Sequence, residues 1–81
     1  MSPAGNADNI LNRVRELRTE CRLTQDELGQ AVGLTRQSII AIEKGRFTPS
    51  IHTVLRLAQA LGTSVDNLFW LSEDDQEEVK I

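Results

Sequence analysis

The apolar positions of residues 24–45 predict two short helices joined by a tight turn. Three aliphatic residues at i, i+3 and i+4 form one stripe of the first helix. Thr24 precedes this stripe as an N-cap, and Glu27 stands three residues later, so the two predict a capping box. Gly33 can end the helix in the left-handed conformation, and Thr35 is the N-cap of a second helix. Helix, short glycine-containing turn and helix together indicate a helix-turn-helix.

Apolar stripes on either side of this motif predict three more helices. We expect a first helix over residues 9–21 and a fourth over residues 51–61, the latter capped by Ser50. Ser64 can cap a short fifth helix that carries Val65, Leu68 and Phe69. The flanking stripes are Ile10, Val14, Leu17 and Cys21 in the first helix and Ile51, Val54, Leu57, Ala58 and Leu61 in the fourth. The pattern predicts an all-α fold with five helices on one core, against which Phe47 also packs.

The helix that follows Thr35 has two chemically different faces. Placing its residues 100° apart puts Ile39 and Ile42 on a core-facing arc, together with Ser38 and Glu43. The outward arc consists of Arg36, Gln37, Ile40, Ala41 and Lys44. Arginine can fork onto guanine, glutamine onto adenine, and aliphatic groups suit the thymine methyl. The outward arc is therefore a candidate for reading DNA bases, and the alternative is an ordinary solvated helix face.

The run LTQDELGQAVGLTRQSIIAIEKGRFTPS at residues 23–50 resembles the Cro/C1-type (XRE, phage-repressor-like) helix-turn-helix family of transcriptional regulators. The motif R-x-L-R precedes this run and A-L-G-x-[ST] follows it, so the similarity extends over residues 9–69. The resemblance implies a compact five-helix, lambda-repressor-like DNA-binding domain whose helices 2 and 3 form the helix-turn-helix. It also implies a regulator, most simply a repressor, that binds an inverted-repeat operator in double-stranded DNA as a homodimer.

The resemblance also implies roles for single residues. An ion pair between Arg18 and Glu43 would join the first helix to the recognition helix, and Gln25 would contact the DNA backbone. From the outward arc itself we expect base contacts by Arg36, Gln37, Ile40 and Ala41, with Ile40 at a place that is usually polar in the family. The backbone contacts would come from Thr24, Gln25, Thr35, Ser38, Lys44, Arg46 and Thr48. Because Ala41 is short, base readout would rest mainly on Arg36 and Gln37.

The net charge of −3 at first disfavours a nucleic-acid binder, but the charge is unevenly distributed. Residues 72–81 carry five acidic residues and one lysine, so residues 1–71 have a net charge of +1. Residues 13–46 hold seven cations and five acids. Local patches, more than net charge, determine phosphate affinity. We therefore expect a flexible lead-in at 1–8, a DNA-binding domain at 9–71 and an acidic mobile tail at 72–81.

Phe69, Trp70 and Leu71 are three consecutive apolar residues. Because they are consecutive, their side chains cannot all face one core. Such a surplus suggests a partner surface. We expect a homodimer interface formed by Val65, Phe69, Trp70 and Leu71, and the alternative is that Trp70 folds back over its own domain. A competing function is a protein-interaction module of antitoxin or adaptor type that uses Phe69–Leu71 to bind an unidentified protein.

Other functional classes find little support in the sequence. No nucleophile–base pair, paired carboxylates or phosphate loop indicates an enzyme, and no cofactor is expected. His52 has no ligand partner at metal-binding spacing, so we interpret it as a surface residue. Cys21 lies on the first stripe and is interpreted as a buried apolar residue, with a redox thiolate as the alternative. The sequence has no apolar run long enough for a bilayer or a signal peptide, so a cytoplasmic protein is expected.

Overall fold

A computed structural model of the chain describes residues 10–72, which form five α-helices and two short β-strands. In chain order these are β1 (Ile10–Asn12), α1 (Val14–Glu20), α2 (Gln25–Val32), α3 (Arg36–Glu43), α4 (Ile51–Leu61), α5 (Val65–Leu68) and β2 (Phe69–Leu71). The predicted lead-in at 1–8 and all but the first residue of the acidic tail at 72–81 lie outside the described residues. None of the helices between residues 10 and 72 has the length and apolar character needed to cross a membrane.

Side-chain caps define both helices of the central motif. The Thr24 hydroxyl accepts from the Glu27 amide at 3.0 Å, and the Glu27 carboxylate accepts from the Thr24 amide at 2.8 Å. Gly33 follows α2 with a φ of 78°, in the left-handed region. Thr35 then caps α3 by accepting from the Ser38 amide at 3.1 Å. The predicted capping box, turn glycine and second cap are therefore confirmed.

The turn between α2 and α3 lies tightly against α2. The Leu34 amide donates to the Gly29 carbonyl at 2.8 Å, and Gly29 itself is buried. A Cβ atom at Gly29 would come within 2.6 Å of the Leu34 carbonyl oxygen. The absence of a side chain at Gly29 thus allows the turn to close as it does, and Leu34 packs against the core.

Aliphatic side chains from all five helices meet in one core. Ile39 and Ile42 of α3 are completely buried, as their arc predicts. The buried core residues are Val14, Leu28, Val32, Ile39, Ile42, Leu57, Ala58, Leu61 and Leu68. The core therefore holds α3 by one face and leaves the opposite face outside.

The two strands form a small antiparallel sheet that the predicted all-α fold lacks. Its register pairs Ile10 with Leu71, Leu11 with Trp70 and Asn12 with Phe69. The Asn12 side chain accepts from the Val14 amide at 3.0 Å and donates to the Ile42 carbonyl at 3.1 Å. Asn12 thus joins β1 to the start of α1 and to the end of α3. The prediction that the first helix covers residues 10–12 is wrong, because these residues pair with β2. The prediction that the fifth helix carries Phe69 is wrong for the same reason, since Phe69 pairs with Asn12.

Three residues predicted on the core lie at the surface. Cys21 is exposed because α1 ends at Glu20 and the chain turns at Arg22, whose φ is 61°. Ile51 is 69% exposed because the residues of α4 that face the core begin with Val54. Phe47 is 46% exposed in the loop between α3 and α4. The predictions that these three side chains are core members are therefore wrong.

A buried ion pair connects α1 to α3. Arg18 Nε donates to Glu43 Oε2 at 2.6 Å, and Gln25 Nε2 donates to Glu43 Oε1 at 3.1 Å. Arg18 also donates through Nη1 to the Leu23 carbonyl at 2.7 Å. The side chains of Arg18 and Glu43 are only 13% and 4% exposed. One carboxylate therefore links three helices, since Gln25 is the first residue of α2.

We expect Glu43→Ala to lower the free energy of unfolding by about 3–5 kcal/mol, because Arg18 would remain nearly buried without its counter-charge. Urea unfolding followed by circular dichroism measures this loss. Glu20→Ala is the matched control, since Glu20 is exposed at the end of α1, and it should change stability by less than about 0.5 kcal/mol.

The double variant Arg18→Met with Glu43→Met removes both charges but keeps long side chains at both positions. It therefore separates the contribution of the ion pair from that of side-chain packing. Because it removes both charges together, its loss of stability should be smaller than that of Glu43→Ala. A double variant whose loss equals the sum of the losses in Arg18→Met alone and Glu43→Met alone would show that the charges act independently.

Candidate nucleic-acid interface

The outward face of α3 is accessible along its whole length. Arg36, Gln37 and Lys44 are exposed, while Ile40 and Ala41 are partly exposed between them. No acidic side chain lies on this arc, because Glu43 is nearly buried against Arg18. The face therefore combines hydrogen-bond donors at its ends with a short apolar centre, which matches the edges of base pairs in a major groove.

An open depression lies between this face, α1 and the start of α2. Five of the predicted DNA-contacting residues line it, together with the Arg18–Glu43 pair. These five are Thr24, Gln25, Arg36, Ile40 and Lys44. Arg18 and Glu43 neutralise each other. The exposed positive charge of this depression therefore comes from its other cations, which include Arg36 and Lys44. Asp26 is the acid of this lining that lacks a cationic partner within residues 10–72.

The amide of Gln25 is oriented by the ion pair. Its nitrogen donates to Glu43 Oε1, so its carboxamide oxygen is left to accept a further hydrogen bond. Gln25 also begins α2, an eight-residue helix, where unpaired backbone amides and the helix dipole favour an anion. The position thus combines a fixed side chain with amides suited to a phosphate group.

The hydroxyls at the helix starts keep the capacity to bind a further group. The Thr24 hydroxyl accepts one hydrogen bond within its capping box, and its proton remains available as a donor. The hydroxyl oxygens of Thr35 and Ser38 lie 3.1 Å apart, so one of their two protons is used between them. The other can be donated outside.

Arg46 and Thr48 lie apart from the depression, in the loop after α3. Gly45 adopts a φ of 74° where the chain leaves the helix, and the Arg46 amide donates to the Ala41 carbonyl at 2.9 Å. Both side chains are exposed. The structure therefore brings Thr24, Gln25, Arg36, Ile40 and Lys44 together and places Arg46 and Thr48 beyond the carboxyl end of α3.

Arg15 is a residue of this surface that the sequence analysis missed. Its exposed side chain lines the same depression from α1. A signal was available, since Arg15 precedes Arg18 by three residues and so lies on the same side of the helix. Once Arg18 is predicted to reach the recognition helix, Arg15 is expected one turn away on the same surface.

The residues predicted at a dimer interface differ in their exposure. Val65 and Phe69 pack partly against the core of their own domain. The Arg13 guanidinium lies 5.0 Å from the centroid of the Trp70 ring, and Trp70 is half-buried. Leu71 is 42% exposed.

Among residues 10–72, the neighbours of Cys21 and His52 do not make a recognisable reactive or metal site. The Cys21 sulfur lies 4.0 Å from the Leu61 carbonyl oxygen, and Arg18, which could have supported a thiolate, is bound to Glu43. Within residues 10–72, no three histidine, cysteine or carboxylate side chains lie close enough to hold a metal ion.

Comparisons with known proteins agree with this geometry. A helix-turn-helix family model matches residues 14–68. An uncharacterized HTH-type transcriptional regulator of Methanothermobacter thermautotrophicus is 52% identical over 62 residues, which are 75% of this chain and 90% of that protein. The cryptic phage CTXphi transcriptional repressor RstR of Vibrio cholerae is 33% identical over 67 residues, covering 83% of this chain and 60% of the repressor.

A solved structure extends the comparison to three dimensions. The restriction-modification controller protein C.AhdI of Aeromonas hydrophila superposes with a TM-score of 0.64 at 36% sequence identity, covering 68% of this chain and 83% of that one. The family model alone spans more than half of the chain and includes all five helices. The chain therefore belongs to the helix-turn-helix family of the Cro/C1 (XRE) type, whose members are DNA-binding transcriptional regulators.

Proposed function

We propose that the protein is a repressor that binds an inverted-repeat operator as a homodimer, with α3 in the major groove. The observation that carries the proposal is the outward face of α3, which has no acidic side chain and is held in place by the buried Arg18–Glu43 pair. The core fixes one face of α3, and the ion pair fixes its Glu43 carboxylate. The helix can therefore enter a major groove without a change in its orientation relative to the rest of the domain. Bound at a promoter in the cytoplasm, such a dimer would block transcription by occlusion.

Base readout is assigned to the outward face of α3, and mainly to its first two residues. Arg36 and Gln37 are exposed at its start and can form paired hydrogen bonds with guanine and adenine respectively. Ile40 and Ala41 follow on the same face and can contact a thymine methyl. Sequence preference should therefore be strongest at the base pairs beneath Arg36 and Gln37.

Phosphate contacts are assigned to the residues around that face. The predicted set is Thr24, Gln25, Thr35, Ser38, Lys44, Arg46 and Thr48, and we add Arg15 because it lines the same depression. Contacts from α1, the start of α2 and the loop after α3 would hold the duplex at several points. Such contacts position the protein on DNA without specifying a sequence.

Dimerisation would supply a second recognition helix, which binds the second half-site of the operator. A two-fold dimer presents two recognition helices to successive major grooves, about 34 Å apart. We place the contact near the end of the domain, where Val65, Phe69, Trp70 and Leu71 lie, and Leu71 is the exposed member of this set.

Selection of bound sequences from a random duplex pool tests the proposal directly. At about 150 mM salt, where non-specific binding is weak, we expect an enriched inverted repeat with half-site centres one helical turn apart. Recovery of no motif, with binding only at low salt, would contradict sequence-specific regulation. It would favour a protein-interaction module instead.

Arg36→Ala should weaken binding to the selected operator by about 1–3 kcal/mol per half-site and relax preference at one base position. Lys44→Ala should instead weaken binding to all sequences and reduce the slope of log K against log salt by about one unit per lost phosphate contact. Arg56→Ala is the control, since Arg56 donates to the Ala31 carbonyl, at the end of α2 away from the proposed DNA. Fluorescence anisotropy on cognate and scrambled duplexes separates the three results.

A further inference from the structure

We propose that Ile40 makes the protein sensitive to DNA methylation, because it contacts the methyl group that thymine and 5-methylcytosine both carry at carbon 5. The inference rests on the proposed regulator and deepens it by naming the chemical group that the centre of the recognition helix binds. It also adds a mode of regulation. Methylation of a cytosine at carbon 5 within the operator would strengthen binding of the protein.

Ile40 is the large aliphatic side chain of α3 that the core does not take up. Ile39 and Ile42 are completely buried, whereas Ile40 is partly exposed and lines the open depression together with Arg36 and Lys44. Contact with another apolar group would remove the remaining surface of Ile40 from water, which is favourable. The apolar group that a base pair presents in the major groove is the C5-methyl group of thymine.

The centre of the outward face lacks an acceptor for the amino group of cytosine. The side chains of Ile40 and Ala41 consist of carbon alone. Glu43 is the carboxylate of α3, but its side chain is 4% exposed and its two oxygens accept hydrogen bonds from side chains of α1 and α2. Asp26 lines the depression from the start of α2, outside this face. An unmethylated cytosine beneath Ile40 would therefore offer neither a methyl group nor a hydrogen bond that α3 can use.

5-Methylcytosine differs from cytosine at the position that Ile40 would contact. Its methyl group is attached to C5, as in thymine, and projects into the major groove at the same place. The amino group of 5-methylcytosine would still lack a partner on α3. We therefore expect affinity at this base pair to decrease in the order thymine, 5-methylcytosine, cytosine. Uracil, which is thymine without the methyl group, should bind more weakly than thymine.

The spacing of Arg36 and Ile40 predicts where the methyl group lies in each half-site. The two residues are one turn apart on the same side of α3, about 6 Å along the helix axis. Base pairs are about 3.4 Å apart in duplex DNA. The methylated pyrimidine should accordingly lie within two base pairs of the position that Arg36→Ala relaxes.

The expected effect is that of burying one methyl group in each half-site. Removal of one such group should weaken binding about fourfold, and removal from both half-sites of the operator should weaken binding about 15-fold. An effect of this size is readily measured, because the two duplexes differ by a single carbon atom in each half-site and are compared with the same protein.

Single-base replacement in the selected operator tests the inference, with fluorescence anisotropy as the measurement. Each thymine is changed in turn to uracil, in both half-sites together. We expect one thymine position at which uracil weakens binding about 15-fold. When the T·A pair at this position is replaced by C·G, binding should be weak, and methylation of that cytosine at C5 should strengthen it about 15-fold.

Two protein variants assign the effect to Ile40. Ile40→Ala removes most of the contacting side chain, so the thymine–uracil and the 5-methylcytosine–cytosine ratios of affinity should both fall below about threefold. Ile51→Ala is the matched control, because it makes the same change at an isoleucine that is 69% exposed on α4, outside the face of α3. It should keep both ratios at their wild-type values. Circular dichroism verifies that both variants fold.

Three results would overturn the inference: no thymine at which uracil weakens binding more than about twofold, thymine–uracil discrimination that persists in Ile40→Ala, or equal binding of cytosine and 5-methylcytosine. In each case the wild-type protein still binds its operator specifically, so the regulator proposal stands while the methyl contact fails. A wild-type protein that selects no operator overturns the regulator proposal and, with it, this inference.

Discussion

The ion pair between Arg18 and Glu43 is the constraint on which the arrangement of the DNA-facing surface depends. Burying a carboxylate is costly unless it is paired, and Glu43 satisfies this condition with Arg18 on one oxygen and Gln25 on the other. The apolar core alone could hold α3 by Ile39 and Ile42, but a helix held only by aliphatic contacts can rotate or slide slightly. The charged contact adds direction, because its geometry is satisfied at one orientation of α3 relative to α1 and α2. The residues on the opposite face are then presented at fixed positions.

Local features of the fold could be predicted from the sequence because they depend on neighbouring residues. The Thr24–Glu27 capping box, Gly33 and the Thr35 cap each act within a few positions, and all appear as predicted. The two faces of α3 also followed from spacing alone, since Ile39 and Ile42 need burial whatever lies around them. Most of the predicted DNA-contacting residues came from the same reasoning, combined with the family resemblance.

Other features could not be predicted because they depend on residues far apart in the chain. Three residues at each end of the domain form the sheet, and neither Ile10–Asn12 nor Phe69–Leu71 has a strand pattern long enough to recognise. The same limit explains Cys21 and Ile51, which continue a helical stripe in sequence but lie beyond the part of the helix that meets the core. Arg15 differs from these cases, because its place one turn from Arg18 could have been predicted once Arg18 was expected to contact α3.

The pairing of β1 with β2 has a consequence for the order in which the domain folds. Its partners are about sixty residues apart, so the chain must close a long loop before the sheet gains any contact, and that closure costs conformational entropy. The helices and the turn between α2 and α3 form from contacts a few residues apart and can precede it. The sheet would then form on a helical core that is already assembled. The ends of the sheet would be the first part of the domain to open under native conditions. The recognition helix, which belongs to the structure formed first from local contacts, would keep its shape when β1 and β2 transiently separate.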